Sequence, residues 1–337
     1  MTIVMKKLTG ILLAAMLLLT AACEQSGGTG QEGTEQGNTT GETTVQTGRD
    51  GTDEEQSGTE QVNSGENGAA EPEDYDKIMS DKSLSPADLL AYIKKNISRV
   101  SEEQATNLVL KLEQLQADDL PEMTDRYSKA DQAELLMEGV YDFDSGEIKM
   151  DSIKNENLRG VLTDAEKNGY KTETAEADFF PVIDYGIYES FGEKLPEDMK
   201  SYYSLMAVES RKAPAKDGGL VIGWDEVFKR AAAQESFVQT FSQSQKLDKV
   251  KELYRKYINF IFDGSNLPNT KHFAYDTKIM EPRMKESIIK AAENGGNTPL
   301  EKMTAEYLKV LKKNNYKLTA EVEQFRKNAA EQLDPAK

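Results

Sequence analysis

The single histidine of the chain is the first candidate for chemistry. His272 precedes Asp276 by four residues, and an imidazole oriented by a carboxylate is a common general base in hydrolases. No nucleophile motif such as G-x-S-x-G accompanies the pair. We therefore favour a structural interpretation, in which His272 lies in a polar loop before a helix that Asp276 or Thr277 caps.

Two carboxylates in an aromatic segment are the second candidates. Asp184 and Glu189 lie in or beside the apolar and aromatic run over residues 179–188. Paired carboxylates flanked by aromatic rings suit glycoside cleavage, in which one acts as the acid and the other as nucleophile or base. The alternative is a buried connection whose rings fill the core. We favour this alternative, so the sequence predicts no catalytic residue, and Asp184, Glu189 and His272 remain candidates only.

Composition excludes several other kinds of site. The chain has 337 residues with one Cys and one His, so it can form neither an internal disulfide nor a multi-histidine metal site. A calcium loop starting at Asp142 would need its glycine sixth and an acid twelfth, but Gly146 is fifth and Ile153 is twelfth. We expect no metal and no cofactor. The net charge of −18 also argues against a nucleic-acid partner, which needs clustered cations.

The N-terminus reads as an export signal. Lys6 and Lys7 precede an apolar stretch of 15 residues over 8–22, which is shorter than the roughly 18–20 residues that a membrane-spanning helix needs. Residues 19–23, Leu-Thr-Ala-Ala-Cys, resemble the lipobox of bacterial lipoproteins, with Thr20 where that family usually has Leu. The resemblance implies that residues 1–22 are a lipoprotein signal peptide, cleaved by signal peptidase II, and that Cys23 carries the lipid. Acyl chains on Cys23, palmitate among them, would anchor the chain to a lipid bilayer, since two chains suffice for stable binding.

A polar segment follows the proposed anchor. Residues 24–74 contain 11 of the 24 glycines, 13 acids against one arginine, and no aromatic, Leu, Ile or Met. Such a composition cannot bury enough apolar surface to offset the entropy of ordering. We therefore expect residues 23–74 to comprise the lipidated cysteine and a disordered acidic tether, with a span of roughly 40 Å for a flexible chain of this length.

Residues 75–337 predict a helical domain. Ser85 and Ser101 are typical helix caps, and the apolar residues over 250–261 recur at helical spacing. Pro121 should kink or restart the helix that Ser101 begins. Residues 139–150 could form a hairpin. The sequence lacks the βαβ alternation that would indicate a parallel sheet. The predicted class is all-α, an irregular multi-helix bundle with at most one short hairpin, preceded by the tether.

Several stretches of this domain resemble uncharacterised secreted lipoproteins of Gram-positive bacteria, over most of residues 83–330. They are residues 85–90, 170–185, 207–210 and 311–316. The resemblance implies a location, the outer face of the cell membrane of a Gram-positive bacterium, and no particular activity.

The sequence as a whole favours a membrane-anchored surface lipoprotein. We expect a binding or interaction module that faces the cell wall, with a wall polymer, a peptide or an envelope protein as its partner. The alternative is a carboxylate-dependent hydrolase acting on cell-wall glycan, for which Asp184 and Glu189 are the acids to test.

Overall fold

The computed structural model describes residues 72, 74–143, 145–264, 267–293 and 296–335. These ranges contain eleven α-helices and two two-stranded sheets, so the predicted all-α class is confirmed. None of the helices in these ranges combines the length and apolar character that a membrane crossing requires. The predicted signal peptide, Cys23 and nearly all of the predicted tether lie outside the described residues.

The helices are α1 Tyr75–Ser80, α2 Pro86–Asn96, α3 Glu102–Lys129, α4 Glu156–Lys167, α5 Gly186–Glu189, α6 Glu197–Arg211, α7 Trp224–Thr240, α8 Leu247–Ile258, α9 Pro282–Ala292, α10 Pro299–Lys313 and α11 Ala320–Gln332. A π-helix, Asn259–Asp263, continues α8. The strands are β1 Tyr170–Ala175, β2 Asp178–Ile183, β3 Ala215–Lys216 and β4 Gly219–Leu220.

Side-chain caps explain where several helices begin. Ser85 accepts a hydrogen bond from the backbone amide of Asp88 at the start of α2. Ser101 and Gln104 form the predicted capping box at the start of α3. These caps satisfy amide groups that the first helical turn leaves without partners.

Helix α3 differs from the prediction, because it does not restart at Pro121 but runs as one helix of 28 residues. Leu112 and Gln116 before the proline are buried, and so are Met123 and Tyr127 after it. Packing on both sides therefore outweighs the hydrogen bond that the proline ring removes.

Two hairpins are present among the described residues, one more than predicted. Strands β1 and β2 pair antiparallel from Tyr170 opposite Ile183 to Ala175 opposite Asp178. The short β3 and β4 pair around Asp217 and its following glycine, both in the left-handed region, as a tight hairpin turn requires. The predicted hairpin over 139–150 is reduced to one bridge between Tyr141 and Ile148.

The buried side chains form three clusters. The first contains residues of the five helices α7, α8, α9, α10 and α11 and of the π-helix. The second joins α1, α2 and the first half of α3 to α5 and α6, and it also includes Phe237 of α7 and Val250 of α8. The third joins the second half of α3 to α4 and the β1–β2 hairpin. Helix α3 therefore contributes to two of the three cores.

The first helix is held to α3 by one lysine. The ammonium group of Lys111 donates to the carbonyls of Ile78, Met79 and Asp81 at 2.8, 2.9 and 3.0 Å. These carbonyls lie at the C-terminal end of α1, where a helix leaves acceptors unpaired and favours a cation. Tyr75, at the other end of α1, is buried in the second core.

Candidate functional site

The two candidate carboxylates each have a structural partner. Asp184 follows β2, and its carboxylate accepts from the Gly186 amide at 3.0 Å, which closes the turn into α5. Glu189, at the end of α5, forms a two-pronged ion pair with Arg211 of α6 at 2.7 and 3.4 Å. The structure thus uses Asp184 as a turn cap and Glu189 as a link between α5 and α6.

The aromatic residues between these carboxylates lie in the second core. Tyr185 and Tyr188 are buried with Tyr202 and Tyr203 of α6. The rings of Tyr188 and Tyr203 stack with centroids 4.6 Å apart, and those of Tyr202 and Tyr203 meet edge to face at 5.0 Å. The rings therefore fill the protein interior and do not line an open sugar site.

Glu113 is the polar centre of this tyrosine cluster. Its Oε1 accepts from the hydroxyls of Tyr185 at 3.0 Å and Tyr202 at 2.7 Å. Its Oε2 accepts from the Tyr203 hydroxyl at 3.2 Å and from the Lys246 ammonium at 2.6 Å. Only 13% of the Glu113 side chain and 14% of the Lys246 side chain are exposed.

The tyrosines in this cluster act as hydrogen-bond donors. Burial, with the negative charge of Glu113 in support, raises the pKa of Tyr185 and Tyr203 well above the ordinary value, so their hydroxyls stay protonated. The network ties α3 and α6 to the segment that enters α5 and to the turn before α8. Glu113 is not recognisable from the sequence, because nothing in a helical pattern separates a buried glutamate from an exposed one.

His272 is buried and neutral. Its side chain is in edge-to-face contact with Trp224 at 5.2 Å, and its Nδ1 accepts from the Arg326 guanidinium at 3.0 Å. Burial lowers the pKa of His272 to about 4, and the positive charge of Arg326 acts in the same direction. A Cβ on Gly264 would lie 2.8 Å from Nε2 of His272, so the ring fits only beside a glycine.

The proposed partner of His272 lies elsewhere. Asp276 is exposed and accepts from the adjacent Thr277 amide at 2.8 Å. Neither residue caps the next helix, since α9 begins at Pro282 after Glu281. That expected cap was wrong, because residues 274–279 form a turn of their own in which the Ala274 amide donates to the Ile279 carbonyl.

The part of the chain that the structure describes contains no group of three or more His, Cys, Asp or Glu that could hold a metal ion.

The exposed surface offers a different kind of candidate site. We call residues 131–151, between α3 and α4, the acidic loop.

The acidic loop exposes three large apolar side chains. Leu136, Met137 and Phe143 are 53%, 56% and 64% exposed. The loop is nevertheless well fixed, since Leu135 is fully buried and the ring of Tyr141 meets Phe179 of β2 at 5.0 Å. These apolar side chains are thus presented to solvent by a packed support.

Carboxylates are frequent in the sequence on both sides of these apolar residues. The acidic loop carries seven acids and one lysine, a net charge of −6. The acids are Asp131, Glu134, Glu138, Asp142, Asp144, Glu147 and Asp151. An apolar surface with this charge suits a partner that is both apolar and cationic. Sequence analysis did not identify it, because the exposure of Leu136 and Met137 depends on tertiary packing.

The comparisons with known proteins give no relative. No protein family, no curated protein and no solved structure matches the chain. Its function has to be argued from its own residues and contacts.

Proposed function

We propose that the chain is a lipid-anchored surface protein that binds a partner through the acidic loop. In this proposal Cys23 holds the chain on the outer face of the cell membrane, and residues 24–74 let the helical domain reach toward the cell wall. The exposure of Leu136, Met137 and Phe143 carries the binding role. Three large apolar side chains more than half exposed within one short segment are costly to maintain in water, and exposed apolar surface is a feature of interaction sites.

The chemistry of the acidic loop favours a polypeptide partner. Leu136, Met137 and Phe143 offer contact to apolar side chains, and the surrounding carboxylates attract Lys and Arg. Charge complementarity of this kind speeds association and orients the partner. The proposed partner is therefore a cationic amphipathic segment of a peptide or an envelope protein, and a wall polymer fits less well.

Binding is tested with a synthetic amphipathic helix of leucine and lysine. The wild-type chain should bind it, with affinity that falls as salt rises. A variant with Leu136, Met137 and Phe143 all changed to Ser should lose at least about tenfold in affinity, because apolar contacts at the centre of an interface carry most of its binding energy.

A matched variant distinguishes binding at this surface from non-specific hydrophobic binding. It carries the same kind of change at three other exposed apolar residues, Val221, Tyr275 and Ile279, and should bind the helix as the wild type does. Equal losses in the two variants, or no binding by the wild type, would contradict the proposed surface.

The anchor is tested separately by Cys23→Ala. The wild-type chain should partition into the membrane fraction, with a mass that includes acyl chains. The variant should appear in the medium or carry an unmodified N-terminus. A variant that stays in the membrane fraction to the same extent would count against lipid attachment at Cys23.

The glycan-hydrolase alternative has no comparable support. The Glu189 carboxylate is in an ion pair with Arg211, and the Asp184 carboxylate accepts a hydrogen bond in the turn into α5. We therefore do not propose it as a second function.

A further inference from the structure

An open cleft of about 530 Å³ lies between the start of α7 and the start of α9. Trp224 is the first residue of α7, Arg283 belongs to the first turn of α9, and Thr270 and Lys271 come from the segment before α9. Glu281 also lines the cleft. These residues come together only in the fold, since Trp224 is far from the others in sequence.

Backbone contacts fix the walls of this cleft. The Leu220 amide donates to Oγ1 of Thr270 at 2.7 Å, and the Glu281 amide donates to the His272 carbonyl at 2.9 Å. The edge of the Trp224 ring meets His272. These contacts link the segments that line the cleft.

Two cations that line this cleft, Lys271 and Arg283, have no partner among the residues that the structure describes. Neither Lys271 nor Arg283 makes a side-chain hydrogen bond or ion pair with any residue in the described ranges. A second open cleft differs, because its cations Arg126 and Lys129 are paired with Asp164 and Asp125. Unpaired cations that share a concave wall are available to a ligand.

The hydrogen-bonding capacity of the cleft is that of an oxyanion site. The hydroxyl of Thr270 already accepts from Leu220, so its own hydrogen remains free to donate. The guanidinium of Arg283 can offer a planar pair of donors to two oxygens, and Lys271 adds a compact charge. The one carboxylate, Glu281, leaves a net charge of +1 among the residues named here.

We propose that this cleft binds the phosphodiester group of a ligand. A phosphodiester carries a single negative charge, which matches the net charge of the cleft, whereas Glu281 would repel further negative charge. Trp224, which is 8% exposed, lines the cleft beside these polar groups. The cleft is distinct from the acidic loop, and its role does not depend on the proposed function.

The single tryptophan makes the proposal directly measurable. Trp224 is the only Trp in the chain, so all tryptophan fluorescence comes from a residue that lines this cleft. The probe is glycerophosphoglycerol, a soluble phosphodiester, added at constant ionic strength to the full chain in detergent. We expect a saturable change in emission with the wild type.

Charge variants identify the residues that bind. Arg283→Gln and Lys271→Gln should each weaken binding about tenfold, because each removes a charge-assisted hydrogen bond. Lys302→Gln, an exposed lysine on α10, should leave the affinity within about twofold. Glu281→Gln should increase the affinity for inorganic phosphate, which carries more negative charge than a diester. Unchanged circular dichroism would show that each variant is folded.

A second experiment, with lipid bilayers, distinguishes a phosphodiester in a lipid headgroup from one in a soluble ligand. The full chain is placed in nanodiscs of phosphatidylcholine with or without phosphatidylglycerol, and Trp224 emission is compared. A change with phosphatidylglycerol that Arg283→Gln abolishes would assign the phosphodiester to a lipid headgroup, and a change with the soluble probe alone would assign it to a soluble ligand. No change with either, or equal losses in Lys302→Gln and Arg283→Gln, would overturn the proposal.

Discussion

Glu113, Glu209 and Glu235 lie largely inside the helical domain, and each joins parts of the chain that are distant in sequence. Glu113 gathers three tyrosines and a lysine, as described above. Glu209 accepts from the Tyr257 hydroxyl at 2.5 Å, and Glu235 accepts from the Leu300 amide at the start of α10 at 2.8 Å. A buried carboxylate is costly unless donors satisfy it. These residues therefore specify which elements meet.

Glu113→Ala should destabilise the fold by about 3–5 kcal/mol, since it leaves Lys246 and three tyrosine hydroxyls without their acceptor. Urea unfolding followed by circular dichroism measures the loss. Glu113→Gln keeps an acceptor oxygen and should fall between the wild type and Glu113→Ala. Glu103→Ala, at an exposed position of the same helix, should change stability by no more than about 0.5 kcal/mol. Similar losses for Glu113→Ala and Glu103→Ala would show that the cluster contributes little.

His272 should make stability depend on pH below neutrality. Its pKa is about 4 in the folded chain and about 6.5 when unfolded. Between these values the unfolded chain binds more protons, so the free energy of unfolding falls as the pH falls from 7 toward 4. Between pH 7 and pH 4.5 the wild type should lose about 2–3 kcal/mol more than His272→Gln, which does not titrate.

The histidine titration can also be observed directly. Because His272 is the only histidine, the Hε1 proton of its ring gives a single NMR signal, and the midpoint of its titration should lie near pH 4. A midpoint near 6.5 in the folded protein, or equal pH dependence in wild type and His272→Gln, would contradict the burial of the ring.

Among the elements, α3 has the most unusual composition, because it contains a proline in its interior. Pro121 lies on an exposed part of the helix, so it contributes no buried contact that a smaller residue would lose. Its cost is the missing amide hydrogen and the clash of its ring with the preceding turn.

Pro121→Ala should therefore stabilise the protein by about 1–3 kcal/mol. Glu122→Ala, at the next exposed position, is the matched control and should have an effect within about 0.5 kcal/mol. Urea unfolding of both variants gives the comparison. A loss of stability in Pro121→Ala would mean that the fold requires the local geometry that the proline imposes.

The elements also differ in how well the sequence predicts them. Helix starts at Ser85 and Ser101 were predictable, because caps act locally. The β1–β2 hairpin was not, since its turn is Glu176-Ala177, both in the left-handed region, where Asn-Gly or Asp-Gly is the usual signal. Its first strand also buries Thr172 and Thr174, so the apolar alternation of a strand is weak.

At the scale of the whole molecule, most of the excess charge of the domain is concentrated in one place. Residues 75–337 have a net charge of −8, of which the acidic loop holds −6. The remainder of the domain is close to neutral, so within residues 75–337 the attraction of cations is strongest at that loop. The helical class could be predicted from the sequence. The acidic loop as a surface and the cleft beside Trp224 could not, because both depend on which side chains the tertiary packing leaves open.

The Lys111 contact has a mechanical consequence. A pull on the chain upstream of Tyr75 enters the folded part at α1, a helix of only six residues. Lys111 holds the far end of that helix through three carbonyls, and Tyr75 anchors the near end in the core. The load is therefore passed through α1 to α3, which runs through two of the three cores.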